Sequence, residues 1–176
     1  MESSIEYEKK AMLSAAEYYC HERNFFAPQS KMVVQVNHYY DTHTYEFDNI
    51  DTTCRIREKN GNFIATIKKH CKGDTDLSTE KSIEARNQFD TTLFTDMGVW
   101  YQGNLTTVRK ELSLTPELKI VFDIILYLDV VDYELEIEYD GYDEWIVQNE
   151  IYGLADILLD KKLIACASDF YIRILY

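Results

Sequence analysis

The sequence predicts an α+β domain in which about eight strands, mostly antiparallel, close or nearly close into a barrel with a few flanking helices. Three observations carry this expectation. Short runs with period-2 alternation recur along the chain, and the connections between them suit antiparallel pairing. Two such runs bracket Asn60-Gly61, a strong hairpin signal, because a type I′ turn needs φ > 0 at both central residues. The charges within the runs are sorted strand by strand. With so many strands in one domain, closure is a natural solution, since it removes unpaired edges.

The elements follow in order. Residues 5–10 alternate and read as a strand. Residues 11–23 carry Met12, Ala15, Ala16 and Tyr19 and read as a helix, ended by Asn24 and Pro28. Residues 31–40 are rich in β-branched and aromatic side chains and read as a strand. Residues 53–59 and 62–69 form the hairpin arms around Asn60-Gly61. A strand over 77–85 and a short helix over 87–97 follow. Strands are predicted over 105–112, 118–126 and 133–139. Helical spacing at Trp145, Ile146, Asn149 and Tyr152 predicts a helix over 142–159, and the tail over 169–176 leans to helix. The 176 residues read as a single domain spanning 1–176.

Composition narrows the function classes. Hydrophobic residues make up 46% and aromatics 14%, which argues against disorder. The formal net charge of −13 argues against a nucleic-acid surface. That acidity is uneven: no Lys or Arg lies between Lys119 and Lys161, so a small anion site elsewhere remains allowed. Cys20, Cys54, Cys71 and Cys166 lack metal-site spacing and fit reduced thiols. The polar N-terminus and the lack of a long apolar run predict a soluble cytoplasmic protein without a membrane span. His21, His38, His43 and His70 have no ligand spacing and read as surface or packing residues, with His38 on the opposite strand face from Asp41.

The charge sorting points to chemistry. Strand geometry places Glu6, Glu8 and Lys10 on one face, and likewise Arg55, Arg57 and Lys59. It also groups Thr66 with Lys68, Thr107 with Arg109 and Glu111, and Lys119 with Val121 and Asp123. Glu134, Glu136 and Glu138 share a face at ~7 Å spacing, so they repel unless a cation lies above them. A solvated outer face explains any one strand. Five strands sorted this way favour a polar lumen, with carboxylates for Mg²⁺ or Mn²⁺ and Arg/Lys for phosphate oxygens.

These residues resemble the CYTH superfamily, the triphosphate tunnel metalloenzymes. ExExK appears as Glu6-Tyr7-Glu8-Lys9-Lys10. A second segment appears as Gln35-Val36-Asn37-His38-Tyr39-Tyr40-Asp41-Thr42. The basic run appears as Cys54-Arg55-Ile56-Arg57-Glu58-Lys59, followed by Lys68, Thr107-Val108-Arg109, Asp123 and Glu134-Leu135-Glu136. The resemblance implies an eight-stranded antiparallel barrel forming a tunnel around a triphosphate. It implies Glu6, Glu8, Glu134 and Glu136 as ligands of Mg²⁺ or Mn²⁺, with Asp123 a further contributor, and Lys10, Arg55, Arg57, Lys68 and Arg109 as phosphate contacts. Glu6 or Asp123 would orient the attacking water, and Glu80, Glu138 and Lys59 are additional candidates. Departures lie at Ser82, between Glu80 and Glu84, and in the segment from Ser168 to Arg173, which lacks the family's lysine. The activity implied is hydrolysis of an inorganic or small organic triphosphate. A class IV-type adenylate cyclase and a non-catalytic polyphosphate- or nucleotide-binding module are the alternatives, and a homodimer stays open.

Overall fold

The computed structural model describes residues 2–27, 30–71 and 74–139. The helix expected over 142–159, the tail over 169–176 and the segment from Ser168 to Arg173 lie outside the described residues. The strands are β1 (Glu2–Leu13), β2 (Val33–Asp41), β3 (Thr52–Lys59), β4 (Asn62–Cys71), β5 (Asp74–Ala85), β6 (Trp100–Thr115), β7 (Leu118–Tyr127) and β8 (Val130–Tyr139). They close into a barrel in the order β1-β5-β4-β3-β2-β6-β7-β8. Each neighbouring pair is antiparallel. The expected eight-stranded closed barrel is therefore present.

The barrel is polar inside and apolar outside. Alternate positions of β1, β7 and β8 send Ala11, Leu13, Leu118, Ile120, Phe122, Leu135 and Ile137 outward, where they pack with Tyr18 and Phe26. The cover for this face is helix α1 (Ala15–Phe25). The Tyr18 ring meets Phe122 edge-on at 5.4 Å, and Phe26 meets the same ring at 5.9 Å. Phe122 is fully buried, and truncating such a residue to Ala typically costs about 3–5 kcal/mol. A second outward cluster joins Tyr40, Cys54, Ile56, Ala65 and Phe94 on β2, β3, β4 and the segment before β6. Cys54 is packed here, and burial pushes its thiol up to about 12.

Local chemistry explains where the elements start and stop. The helix predicted from residue 11 begins at Ala15, because Ala11 and Leu13 complete the outward face of β1. Ser14 and Glu17 close a capping box at that start: the Ser14 hydroxyl accepts from the Glu17 N–H, and the Glu17 carboxylate accepts from the Ser14 N–H at 2.7 Å. The helix expected over 87–97 reduces to a 3₁₀ turn, Thr91–Phe94. Asp90 and Asn87 accept from nearby backbone N–H groups, those of Arg86 and Phe89, and so compete with helical bonding. Asn60 and Gly61 both have positive φ, as the hairpin required. Asp41, expected only as part of a motif, fastens the loop after β2: its carboxylate accepts from the N–H groups of Thr42, Phe47 and Asp48.

The turn from β7 to β8 places Leu128 at φ 43° and Asp129 at φ 62°. An exposed leucine in the left-handed region contributes strain and little packing. Leu128→Asn should therefore raise stability by about 1 kcal/mol, read as a higher urea midpoint. An unchanged or lower midpoint would remove strain at this turn from the account.

Candidate functional site

Each strand contributes its inward face to a charged lumen. β1 supplies Glu6, Glu8 and Lys10, and β8 supplies Glu134, Glu136 and Glu138. Register pairs Lys10 with Glu136 and Glu8 with Glu138 across the β1–β8 seam. On the next strand round, Asp123 of β7 sits opposite Glu134, and Arg109 of β6 sits opposite Asp123. β3 and β4 bring Arg55, Arg57, Thr66 and Lys68 to the far wall. The parity expected from sequence thus becomes one shared interior.

The carboxylates are held by cations from other strands. Lys68 donates to Glu8 at 2.6 Å and to Glu6 at 3.1 Å. Lys10 lies 3.5 Å from both Glu8 and Glu136. Arg109 forks onto Asp123, with Nε to Oδ1 at 3.0 Å and Nη2 to Oδ2 at 2.7 Å. The same Nη2 donates to Glu136 at 2.9 Å, and Nη1 lies 3.5 Å from Glu138. Lys119 completes the ring with an ion pair to Glu138. Burial opposes the charge on Arg109, but Glu136, Asp123 and Glu138 outweigh it and hold the guanidinium protonated.

Glu8 and Glu136 are neighbouring carboxyls whose titrations are shifted in opposite directions. Burial raises Glu8, Lys10 and Lys68 oppose that shift, and the neighbouring Glu136 adds to it. Burial also opposes ionisation of Glu136, but Lys10 and Arg109 overcome it and hold that carboxyl well below the usual range. Asp123, Glu134 and Glu136 are all buried, and each offers a carboxylate oxygen within 4.8 Å of the others. Three hard oxygen donors at this spacing fit a divalent cation such as Mg²⁺ or Mn²⁺. Glu8, also expected as a ligand, lies beside this cluster on the neighbouring strand, sharing Lys10 with Glu136, and both Glu6 and Glu8 accept from Lys68.

The other wall is cationic and less compensated. Among the described residues, Arg55 has one carboxylate near it, Glu80 at 3.5 Å. Arg57 forms no ion pair among the described residues; its Nε donates to the neutral amide oxygen of Asn37 at 2.9 Å. Burial, Arg55 and Arg109 together bring its guanidinium down to about 10. A cation so placed lacks a counter-charge that a bound anion would supply. Lys59 ends β3 beside the Asn60-Gly61 turn and forms no ion pair among the described residues.

Sequence reasoning quoted Asn37 without giving it a task. It is buried, orients Arg57, and its own amide reaches Thr107 Oγ1 at 3.5 Å. Its place two residues from Gln35 on one strand face was the available signal. His43 stacks on Trp100 at 4.7 Å and His38 packs outside the barrel near Tyr101, whereas His70 shares the lumen face of β4 with Lys68 and sits opposite Ser78. No helix among the described residues is long and apolar enough to cross a membrane.

A closed antiparallel barrel with opposed carboxylate and guanidinium walls defines a class of tunnel-like binding domains. The model of the CYTH domain family matches residues 4–163, so the chain belongs to that family. A Bacillus subtilis (strain 168) protein, YjbK, described as a candidate triphosphatase, is 27% identical over 158 residues, covering 82% of each chain. Two solved structures share the fold. One, from Bacillus halodurans and described as a candidate adenylate cyclase, has a TM-score of 0.76 at 20% identity, covering 97% of this chain and 99% of its own. HpAC1 from Hippeastrum, described as a candidate adenylyl cyclase with a dominant triphosphatase activity, has a TM-score of 0.69 at 16% identity, covering 96% and 94%.

The carboxylate cluster makes a direct prediction. Titrating the full chain with Mn²⁺, followed by electron paramagnetic resonance, should show a site that Glu134→Gln weakens by roughly tenfold or more. Equal Mn²⁺ affinity in the variant would remove Glu134 from the ligand set.

Proposed function

We propose that this protein is a metal-dependent triphosphatase that removes the terminal phosphoryl group of an inorganic or small organic triphosphate bound inside the barrel. The observation that carries this reading is the pairing of two features in one lumen. Arg57 is buried without an anionic partner among the described residues, next to Arg55 and Arg109. Facing it is the buried cluster of Asp123, Glu134 and Glu136. An oligophosphate needs both: guanidinium and ammonium groups for its oxygens, and a hard cation to neutralise the rest. Family membership and the likeness to YjbK agree with it.

Each group then has a task. Arg55, Arg57, Arg109, Lys10 and Lys68 would bind and orient the phosphate chain, and Arg57 would be held by Asn37. Asp123, Glu134 and Glu136 would hold the metal, which when bound supplies charge neutralisation for phosphoryl transfer. Glu8 stands beside this set, with Lys10 and Lys68 on its oxygens. Glu6 is the better placed of the two candidates for orienting the attacking water. Among the described residues it meets Lys68 through a single oxygen, Oε2, whereas both Asp123 oxygens are taken by Arg109. Its other oxygen remains available to accept a proton from water. Glu80 and Glu138 would trim the field around Arg55 and Lys119.

The test is a panel of inorganic tripolyphosphate, thiamine triphosphate and ATP, run with Mg²⁺ and with Mn²⁺. Phosphate release is expected, with kcat lowered about 10²-fold or more in Glu6→Gln and KM raised in Arg57→Ala. Cyclic AMP formed from ATP without phosphate release would replace this reading with a cyclase. Tight tripolyphosphate binding without turnover would replace it with a binding module.

A further inference from the structure

Inside the barrel, two buried donors have no acceptor among the described residues: Arg55 Nε and Ser78 Oγ. Arg55 belongs to the cationic wall already described. Ser78 does not, and nothing in the charge pattern of the sequence drew attention to it. It lies on β5, fully buried, two residues before Glu80 and hence on the same strand face. That face looks inward, because Glu80 reaches Arg55 across the lumen. Ser78 is the direct cross-strand partner of Glu6 on one side and of His70 on the other. The Lys68 ammonium, on the lumen face of β4, is bonded to that same Glu6.

A hydroxyl buried without a partner is rare, because it gives up water and gains nothing in return. The neighbouring Glu6 carboxylate does not relieve it: no hydrogen bond joins the two, and the Oε2 of Glu6 is turned to Lys68. What would relieve it is an acceptor-rich ligand in the lumen, beside an ammonium that also seeks oxygen. We propose that Ser78 is a further ligand-binding residue, donating its hydroxyl hydrogen to a phosphoryl oxygen of the bound oligophosphate alongside Lys68. This inference rests on the oligophosphate reading of the tunnel.

The geometry separates such a role from a structural one. If the hydroxyl serves only a ligand, the ligand-free protein gains nothing from it. Ser78→Ala should therefore melt at or above the native temperature without ligand, yet bind inorganic tripolyphosphate with Mg²⁺ about tenfold more weakly by calorimetry. Ser78→Thr, which keeps a hydroxyl, should bind more tightly than Ser78→Ala. Ser78→Cys, close in volume with a weak donor, should follow the alanine variant and serves if Ser78→Ala does not fold. Native affinity in both Ser78→Ala and Ser78→Cys would overturn the proposal, and so would a lowered ligand-free melting temperature in both. Arg57→Ala, measured in parallel, separates this from the underlying reading. If Arg57→Ala loses tripolyphosphate while the Ser78 variants keep it, only the role of Ser78 fails. If Arg57→Ala binds as the native protein does, the oligophosphate reading fails and takes this proposal with it.

Discussion

The structure depends on compensating like charges within a closed space. β8 alone places Glu134, Glu136 and Glu138 on one face, at a spacing where they repel. No residue of β8 relieves this. The relief comes from Lys10 on β1, Arg109 on β6 and Lys119 on β7. β1 and β7 flank β8 on its two edges and β6 lies one strand further, so the relieving cations come from both sides of it. Closure removes the sheet edges and adds the Arg55 and Arg57 wall of β3 across the lumen from these carboxylates.

The apolar side of the chain follows from the same constraint. With the lumen given to charge, the core must lie outside the barrel, where Phe122, Leu135 and Ile137 need a cover. The helix after β1 supplies part of it through Tyr18, with Phe26 immediately beyond, and Lys110 reaches from β6 to pair with Glu22 on that helix. The second outward cluster is covered by Phe94 and the short segment between β5 and β6. Each covering element is thus fixed by an apolar stripe that parity had already turned away from the charges.

Much of this could be read from sequence, for reasons that differ between fold and site. Strand parity is a backbone property, so the lumen faces of β1, β3, β7 and β8 followed directly from the order of residues. The Asn60-Gly61 hairpin followed from the conformational needs of its turn. Element ends were harder. The extension of β1 through Leu13 is set by packing on the distant Leu118 and Leu135, which no local pattern states. The 87–97 segment has helix-like composition but spends Asn87 and Asp90 on its own backbone. Within the site, the residue types were visible but not their partners. Asp123 was readable as a contributor beside Glu134 and Glu136, but only the three-dimensional register shows how Lys68 links Glu6 to Glu8 and how Arg109 links Asp123 to Glu136. Neutral groups such as Asn37 and Ser78 carry no charge signal and emerge only from burial and hydrogen bonding.

The position of β1 in the barrel has a bearing on how the molecule forms. β1 is the first strand in the chain, yet it pairs with β5 and β8, so Glu6 meets Ser78 and Lys10 meets Glu136. Both pairings span large sequence separations, which makes them slow to form. During synthesis the leading strand has no ladder partner until β5 has emerged, and its second edge waits for β8. The joining of that second edge completes the barrel and brings Lys10 to Glu136 in the same step. Partly folded chains would therefore hold a paired sheet of the middle strands without an assembled charge network, so the site gains its chemistry only as the last seam closes.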